Sequence, residues 1–197
     1  MNKDEFIYRF HHFRQVEQEP DYPLPVKGRP ASVLIPILQR EGALDVIFTE
    51  RSSHLRAHPG QISFPGGARE KHDSSAAAAA LREAEEEIGL PRDAVEIIGR
   101  LPDYRTISGF VISPFIGFVS PDFDYQIDPN EVASVFTVPL AHLMDKQHHL
   151  THFMVRHNQR FPIYFIPWQG KLIWGATAAM VRNLAHHLDH SGQLNLR

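Results

Sequence analysis

The sequence predicts an α+β fold in which a central mixed β-sheet is flanked by helices. Segments rich in β-branched and aromatic residues outnumber the segments with helical periodicity. Strands and helices also follow one another in a mixed order, which argues against a doubly wound parallel sheet. The length of 197 residues, with 43% hydrophobic and 22% charged residues, fits a single domain that buries a sizeable core.

The N-terminal 30 residues are predicted to lie outside that domain. Aromatic and aliphatic side chains at helical spacing favour a helix over Asp4–Val16. Four prolines within Glu19–Pro30 favour an extended arm. We therefore expect a helix and arm at residues 1–30, the domain at residues 31–190 and a short tail at residues 191–197.

The first part of the domain is predicted to begin with a β-hairpin. Two β-rich runs flank Arg40-Glu41-Gly42, which suits a turn. After a polar segment, a short strand leads into the glycine turn Pro65-Gly66-Gly67. In order, the expected elements are strands at Ala31–Leu38 and Leu44–Thr49, a loop at Ser52–Gly60 and a strand at Gln61–Phe64.

The clearest helix follows Asp73-Ser74-Ser75, whose side chains can cap a helix N-terminus. Five alanines come next, and Gly89 with Pro91 ends the helix. Further along, Pro114 is expected at a sheet edge or bulge, because proline lacks the N–H that a central strand donates. The later elements are predicted to be strands at Val95–Leu101, Val111–Val119, Val132–Val138, Leu150–Val155 and Phe161–Pro167, and a closing helix at Thr177–Leu188.

Composition argues against several classes of function. Lys and Arg number 20 against 23 Asp and Glu, so the basic excess typical of a nucleic-acid binder is absent. The chain has no cysteine, which excludes disulfides, thiol nucleophiles and cysteine-bound zinc. No apolar run approaches the length of a membrane span, and the acidic N-terminal residues do not suit a signal peptide. We therefore expect a cytoplasmic protein that binds neither nucleic acid nor membrane.

Three glutamates on the clearest helix are the first candidates for chemistry. Glu83, Glu86 and Glu87 are spaced i, i+3 and i+4, so they share one helix face and repel one another. A divalent cation such as Mg²⁺ converts that repulsion into coordination, because it prefers oxygen ligands. Arg82 is spaced to orient Glu86, whereas Glu85 projects from the other side. The alternative is a charged, solvent-exposed face on an alanine-rich helix.

The residues before the helix favour the metal interpretation. Gly66 and Gly67 permit a tight turn and a close approach of the backbone to phosphate. Together with the run Arg82-Glu83-Ala84-Glu85-Glu86-Glu87-Ile88-Gly89-Leu90, Gly67 resembles the Nudix box of the Nudix hydrolases. Two departures concern the middle acid of that box. Asp73 stands where the family has Glu, and eight residues instead of seven separate it from Arg82.

A second pattern resembles the coenzyme A pyrophosphatase branch of that family. It comprises Thr49-Glu50-Arg51-Ser52, Arg56, Gly60, Phe64-Pro65-Gly66-Gly67 and Ile173-Trp174-Gly175-Ala176-Thr177. In that branch the box carries the same one-residue extension. The resemblance spans residues 31 to 185 and implies the Nudix α/β/α sandwich. It also implies hydrolysis of the diphosphate bond of coenzyme A or its derivatives, giving 3′,5′-ADP and 4′-phosphopantetheine, with Mg²⁺ or Mn²⁺ as cofactor.

The resemblance implies roles for individual residues as well. Glu83, Glu86, Glu87 and the Gly67 carbonyl would bind the metal, and Glu83 or Glu131 would act as the catalytic base. The alternative for Glu131 is an ordinary surface acid. The residues expected to bind substrate are Arg51, Arg56, Gly66, Gly67, Thr106 and Ser108.

Some of these roles have structural alternatives. Arg51 and Arg56 suit a substrate that carries a diphosphate and a 3′-phosphate, but each could instead pair with a nearby carboxylate. The segment Tyr104–Gly109 could line a pocket for adenosine or pantetheine, or could only turn the chain. Trp174 and Met180 are expected in the core.

Two other functions stay open at this point. One is a Nudix hydrolase that acts on another nucleoside diphosphate compound, such as ADP-ribose. The other is a non-catalytic, nucleotide-sensing Nudix domain. In each case the expected partner is a small molecule, and a homodimer is compatible with the sequence.

Overall fold

The computed structural model describes residues 1–12, 28–120, 123–156 and 158–189. Within these ranges the strands form an eight-stranded mixed sheet and a separate three-stranded antiparallel sheet. The large sheet contains β1 (Arg29–Arg40), β2 (Ala43–Arg51), β3 (Ile62–Ser63), β4 (Gly66–Ala68), β5 (Val95–Arg100), β6 (Tyr104–Arg105), β7 (Phe110–Val119) and β8 (Val132–Pro139). The small sheet contains β9 (Leu150–Arg156), β10 (Gln159–Trp168) and β11 (Lys171–Trp174).

The large sheet is built around β1 and β7, which run parallel. Its main path is β3-β2-β1-β7-β5, while β4 pairs with β1, β6 with β7 and β8 with β2. The predicted hairpin is confirmed, since β1 and β2 are antiparallel around Glu41 and Gly42. Both turn residues have positive φ, 44° and 82°, as a two-residue hairpin turn with right-handed strand twist requires.

Helices cover both faces of the large sheet. The described helices are α1 (Lys3–His12), α2 (Ala76–Ile88), α3 (Leu140–Met144) and α4 (Gly175–Leu188). On β1, Leu34 and Leu38 pack against α2, whereas Ile35 and Ile37 share the opposite core with α1, α3, α4 and the small sheet. This alternation follows from the two-residue period of a strand. The arrangement confirms the predicted sandwich of helices around a mixed sheet.

Helix α2 begins and ends as the sequence predicts. The Ser75 hydroxyl accepts a hydrogen bond from the Ala78 N–H at 3.0 Å, so Ser75 is the N-cap. Gly89 adopts a left-handed conformation (φ 69°) and returns its N–H to the carbonyls of the last turn. The alanines let the helix approach the sheet closely, with Ala80 and Ala84 fully buried.

The expectation that Pro114 occupies an edge or bulge is wrong. It lies in β7, an interior strand, opposite Val33 of β1. Its carbonyl accepts from the Leu101 N–H, so its nitrogen also faces the β5/β6 side of the strand. On that side the partner of β7 changes from β6 to β5, and the missing N–H falls in the break between the two pairings.

The structure differs from the remaining predictions in a few elements. Gly66 and Gly67 form strand β4, which pairs with β1, where the sequence suggested a turn. Strand β11 and the short helix α3 were not predicted. The N-terminal helix is confirmed over Lys3–His12, while residues 13–27 of the arm and the tail at 191–197 lie outside the described residues. None of the described helices combines the length and apolarity needed to cross a membrane.

Candidate active site

Three glutamates on α2 occupy different environments. Glu87 is buried, with 2% of its surface exposed. Glu83 is mostly covered, with 14% of its side chain exposed, and Glu86 is largely open to solvent at 58%. The face that they share points toward β4, which packs on α2 beside β1. The interpretation of this helix as a uniformly solvated charged face is therefore wrong.

Arg82 organises this acidic face with all five of its N–H donors. Its Nε donates to Asp73 Oδ1 at 3.0 Å and its Nη2 to Asp73 Oδ2 at 3.2 Å and to the Ala68 carbonyl at 3.3 Å. Its Nη1 contacts Glu83 Oε1 at 3.0 Å and donates to Glu86 Oε2 at 2.8 Å. The guanidinium therefore fixes two of the three glutamates relative to β4.

Asp73, where the sequence departs from the Nudix box, has a structural role. The side chains of Asp73 and Arg82 are only 3% and 6% exposed, so they form a covered ion pair. Hydrogen bonds from Arg82 hold the pKa of Asp73 down at about 2. The one-residue extension between the two positions does not prevent their pairing.

Gly66 and Gly67 lie directly beneath the acidic face. The Gly66 N–H donates to Glu87 Oε2 at 3.3 Å. A methyl group on Gly67 would stand only 2.6 Å from the carboxylate atoms of Glu83. The absence of a side chain at Gly67 is therefore what allows the Glu83 carboxylate to approach the backbone of β4.

The electrostatics of the site favour the binding of positive charge. Burial, reinforced by the negative charge of Glu83, raises the pKa of Glu87 to about 8. Burial also raises the pKa of Glu83, against the opposing charge of Arg82. Glu131 adds to both effects, and Arg51 lowers the pKa of Glu87, so these two side chains lie within electrostatic reach of the acidic face.

A cavity of about 530 Å³ lies on the other side of the two glycines. Its size is within the range of small-molecule binding sites. Much of its lining is apolar and comes from both sheets and from α4, including Val33, Phe64, Ile112, Ile163, Tyr164 and Met180. Gly66 and Gly67 contribute to the cavity wall and also contact the glutamates, so the cavity and the acidic face meet at β4.

The structure brings most of the predicted substrate-binding residues to this cavity. Arg51, Thr106 and Ser108 line it together with the two glycines. The Thr106 and Ser108 hydroxyls are 2.9 Å apart, and the Thr106 hydroxyl also accepts from the Phe110 N–H, so this segment is a turn as well as a cavity wall. Arg56 is exposed in the loop after β2 and does not line the cavity.

Glu131 lies at the start of β8, next to the loop that follows β2. Its side chain is exposed, and its carbonyl accepts a hydrogen bond from the Ser52 N–H at 2.9 Å. Ser52 adjoins Arg51, so the backbone pairing holds Glu131 close to an arginine of the cavity wall. The position is compatible with either a catalytic or a surface role.

His58 and Trp174 are among the cavity residues that were not identified as such from the sequence. His58 lines the cavity and has a positive φ of 55°, an unusual conformation for a histidine. Trp174 was expected in the core, but it is 40% exposed and lines the cavity. Trp174 belongs to the coenzyme A pyrophosphatase pattern, which was its only sequence signal, and His58 had none, because the contacts of both depend on distant strands.

The carboxylates have the chemistry that a hard divalent cation prefers, but their oxygens do not converge on one position. Among the residues that the structure describes, no three Asp, Glu or His side chains form a ready-made metal cluster. Glu86 is turned toward Arg82, whereas Glu87 is buried and accepts from the Gly66 N–H. Burial disfavours the ionised form of Glu87, and Mg²⁺ or Mn²⁺ would stabilise that form by binding its carboxylate oxygens.

Residues 28–174 of the chain match the NUDIX domain family. The chain belongs to this family. It is 39% identical over 183 residues to the uncharacterized Nudix hydrolase NudL of Escherichia coli strain K12 and to that of Shigella flexneri, covering 92% of each chain. The Nudix domain of Shewanella oneidensis NrtR, solved in complex with ADP ribose, superposes with a TM-score of 0.55 at 16% identity, covering 96% of this chain and 100% of that one. DR0079 from Deinococcus radiodurans gives a TM-score of 0.53 at 17% identity, covering 86% and 89%.

Family membership confirms the coarser part of the functional prediction. Nudix hydrolases act on nucleoside diphosphate derivatives, which are small molecules, and generally use divalent metals such as Mg²⁺ or Mn²⁺. The names of the relatives specify no substrate, so the coenzyme A branch stays a prediction. The two solved structures, at this low identity, support the fold alone.

The buried charge at Glu87 is expected to lower the stability of the metal-free protein. Because its pKa is raised from 4.5 to about 8, ionising Glu87 costs stability progressively as the pH rises between these values. Replacing Glu87→Gln removes that cost and keeps an acceptor for the Gly66 N–H. The full pKa shift corresponds to about 4–5 kcal/mol at pH 8.5. Because the buried Gln amide also loses hydration, we expect the variant in chelator to gain on the order of 2 kcal/mol, or about 4–8 °C in Tm.

The pH dependence of that gain separates it from a general packing effect. At pH 5 the wild-type Glu87 is largely protonated, so the Tm difference between variant and wild type should nearly vanish. Thermal unfolding followed by circular dichroism at both pH values measures it. An equal gain at pH 5 and pH 8.5 would contradict the assigned buried charge.

Proposed function

We propose that this chain hydrolyses the diphosphate bond of coenzyme A or its derivatives, giving 3′,5′-ADP and 4′-phosphopantetheine. One observation carries the proposal: the acidic face of α2 and the cavity meet across Gly66 and Gly67. A diphosphate lying over these glycines would have its scissile bond beside the glutamates. One arm of the substrate would then extend into the cavity.

A diphosphate and three carboxylates repel each other, so the site requires positive charge. Glu83, Glu86, Glu87 and the Gly67 carbonyl would hold Mg²⁺ or Mn²⁺. When bound, the metal shields the diphosphate, stabilises the charge that develops at phosphorus and favours ionisation of water. Arg82 positions Glu83 and Glu86 for this task through the contacts described above.

The remaining polar groups supply binding and proton transfer. Arg51 lines the cavity and lies within electrostatic reach of Glu87, so its guanidinium would bind a phosphate group of the substrate. Glu83 or Glu131 would accept the proton of the attacking water. The raised pKa of Glu83 suits a base, because a base works best when its pKa lies near the working pH.

The buried Glu87 also argues against a non-catalytic sensing domain. Its ionisation costs folding free energy, and the cost is offset only when a cation is present. A domain that bound nucleotide without metal chemistry would gain stability by replacing this residue with a neutral one. The site therefore fits catalysis better than sensing.

Product analysis over a substrate panel tests the proposed function. The purified protein is incubated with coenzyme A, ADP-ribose or a dinucleoside polyphosphate, each with Mg²⁺ or Mn²⁺, and the products are separated by chromatography. We expect 3′,5′-ADP and 4′-phosphopantetheine from coenzyme A at the highest kcat/KM. A higher kcat/KM for ADP-ribose would reject the coenzyme A proposal and leave the Nudix assignment intact.

Arg51→Ala tests recognition of the 3′-phosphate. A charge-assisted hydrogen bond to phosphate contributes about 1.5–3 kcal/mol, or roughly one to two decades in kcat/KM. We expect wild type to prefer coenzyme A over dephospho-coenzyme A by that factor, and Arg51→Ala to abolish the preference mainly through KM. The two substrates share the scissile diphosphate, so effects of Arg51 on the metal site cancel in the ratio.

Arg56→Ala is the matched control for that measurement. Arg56 is an arginine of the same loop region, but it lies outside the cavity wall. We expect its replacement to leave the substrate ratio unchanged. If Arg56→Ala abolishes the preference and Arg51→Ala does not, the 3′-phosphate binds to the exposed loop and the orientation proposed here is wrong.

A further inference from the structure

Ser32, in the centre of the molecule, has a buried hydroxyl without a protein partner. It is only 1% exposed, and its Oγ makes no hydrogen bond to the protein. An unsatisfied buried hydroxyl destabilises the folded state, because it loses its hydration without gaining a partner. A hydrophobic strand such as β1 would gain stability from alanine at this position, so the hydroxyl calls for an explanation.

The strand register places Ser32 beside the acidic face. Ser32 lies directly opposite Gly67 in the antiparallel pair of β1 and β4. Residues opposite each other in such a pair point to the same face, with Cβ positions roughly 4.5–5.5 Å apart. The Cβ position of Gly67 would lie 2.6 Å from the Glu83 carboxylate. The Glu83 carboxylate therefore occupies the place of the missing Gly67 side chain, on the face of the strand pair to which Ser32 also points.

The other groups nearby cannot satisfy this hydroxyl. Arg82 already uses all five donors on Asp73, Glu83, Glu86 and the Ala68 carbonyl. Glu83 contacts Arg82 through Oε1, so Oε2 is the oxygen that Arg82 does not hold. The unpartnered Ser32 hydroxyl and the Glu83 carboxylate thus lie on the same face next to Gly67, without a direct hydrogen bond between them.

We propose that Ser32 is a positioning residue for Glu83. Its hydroxyl and the Glu83 carboxylate hold one water between them next to Gly67. The hydroxyl accepts from or donates to this water, and the water donates to Glu83 Oε2. Arg82 then fixes one oxygen of Glu83 and the Ser32 water fixes the other, which leaves the carboxylate in a single orientation toward metal and substrate. The inference deepens the proposed function, on which its kinetic part rests.

Ser32→Ala measures the positioning effect. Partners that orient a metal ligand from behind typically contribute about 10- to 100-fold in metal affinity or activity. We expect Ser32→Ala to lower kcat about tenfold with KM nearly unchanged, and to weaken Mn²⁺ binding about tenfold in calorimetry without substrate. A merely structural hydroxyl would instead give a variant with a higher Tm, wild-type kcat and wild-type Mn²⁺ affinity, and that result would overturn the proposal.

Ser113→Ala is the matched control. Ser113 lies beside Ser32 on β7, but its hydroxyl already donates to Asp103 at 2.7 Å. We expect its replacement to leave kcat and Mn²⁺ affinity unchanged. An equal loss in both variants would show a general disturbance of the sheet and would reject a specific role for Ser32.

A high-resolution crystal structure of the metal-free protein tests the same proposal without any activity. We expect an ordered water within hydrogen-bonding distance of both Ser32 Oγ and Glu83 Oε2, and its loss in Ser32→Ala. The absence of this water, or a Ser32 hydroxyl that bonds to another group, would overturn the proposal. If the wild type hydrolyses none of the substrates in the panel, the proposed function fails, whereas the water and the Mn²⁺ affinity still decide the role of Ser32.

Discussion

Glu87→Gln and Glu86→Gln are each expected to reduce kcat by about 100-fold or more. Each change removes one negative charge and one oxygen donor from the acidic face, which weakens metal binding and electrostatic stabilisation of the transition state together. The helix should still form, because Gln is nearly as good a helix former as Glu. Steady-state kinetics at saturating Mg²⁺ or Mn²⁺, with circular dichroism to confirm folding, measure the effect.

Glu85→Gln is the control for both variants. Glu85 belongs to the same acidic run, but it pairs with Arg92 at 2.7 Å on the other side of α2. We expect less than a twofold change in kcat, since an exposed pair of this kind contributes little. Excess chelator should abolish wild-type turnover. Near-wild-type activity in either Glu86 or Glu87 variant, or full activity in chelator, would show that the metal site is misplaced.

Much of the fold could be predicted because it depends on local patterns. Helix α2 carries its own start and stop signals in Ser75 and Gly89, and both act as predicted. The hairpin turn at Glu41 and Gly42 likewise depends on residues adjacent in sequence. The spacing of the three glutamates follows from helix geometry alone, so their common face required no knowledge of the sheet.

What could not be predicted depends on contacts between distant segments. Pro114 fits an interior strand because two different partners meet beside it, which no local rule reveals. Gly66 and Gly67 suggested a turn, whereas pairing with β1 makes them a strand that touches the glutamates. Arg56 has the same chemistry as Arg51, and only the course of the loop separates their positions. The burial of Glu87 could not be predicted either, because its neighbours in the sequence are charged residues that are normally exposed.

Arg82 is the residue whose loss should cost the most stability in this site. Arg82→Met keeps most of the side-chain volume but leaves the Asp73 carboxylate, 3% exposed, without its cation. Breaking a buried ion pair by removing one partner costs about 3–5 kcal/mol. Exposed residues flank Asp73 in sequence, so the pair lies near the surface and we expect the low end, about 3 kcal/mol or roughly 6–12 °C in Tm.

A double-mutant cycle attributes that loss to the pair itself. Asp73→Asn removes the carboxylate that would be left unpaired, so Arg82→Met should cost much less in this background than in wild type.

Because the pKa of Asp73 is lowered from 3.8 to about 2, the ion pair contributes fully above pH 4 and is lost as the pH falls through about 2. Arg92→Met, at the exposed pair with Glu85, is the control and should change Tm little. Additive losses for Arg82 and Asp73 would contradict the coupling, and Arg82 would then act on Glu83 and Glu86 alone.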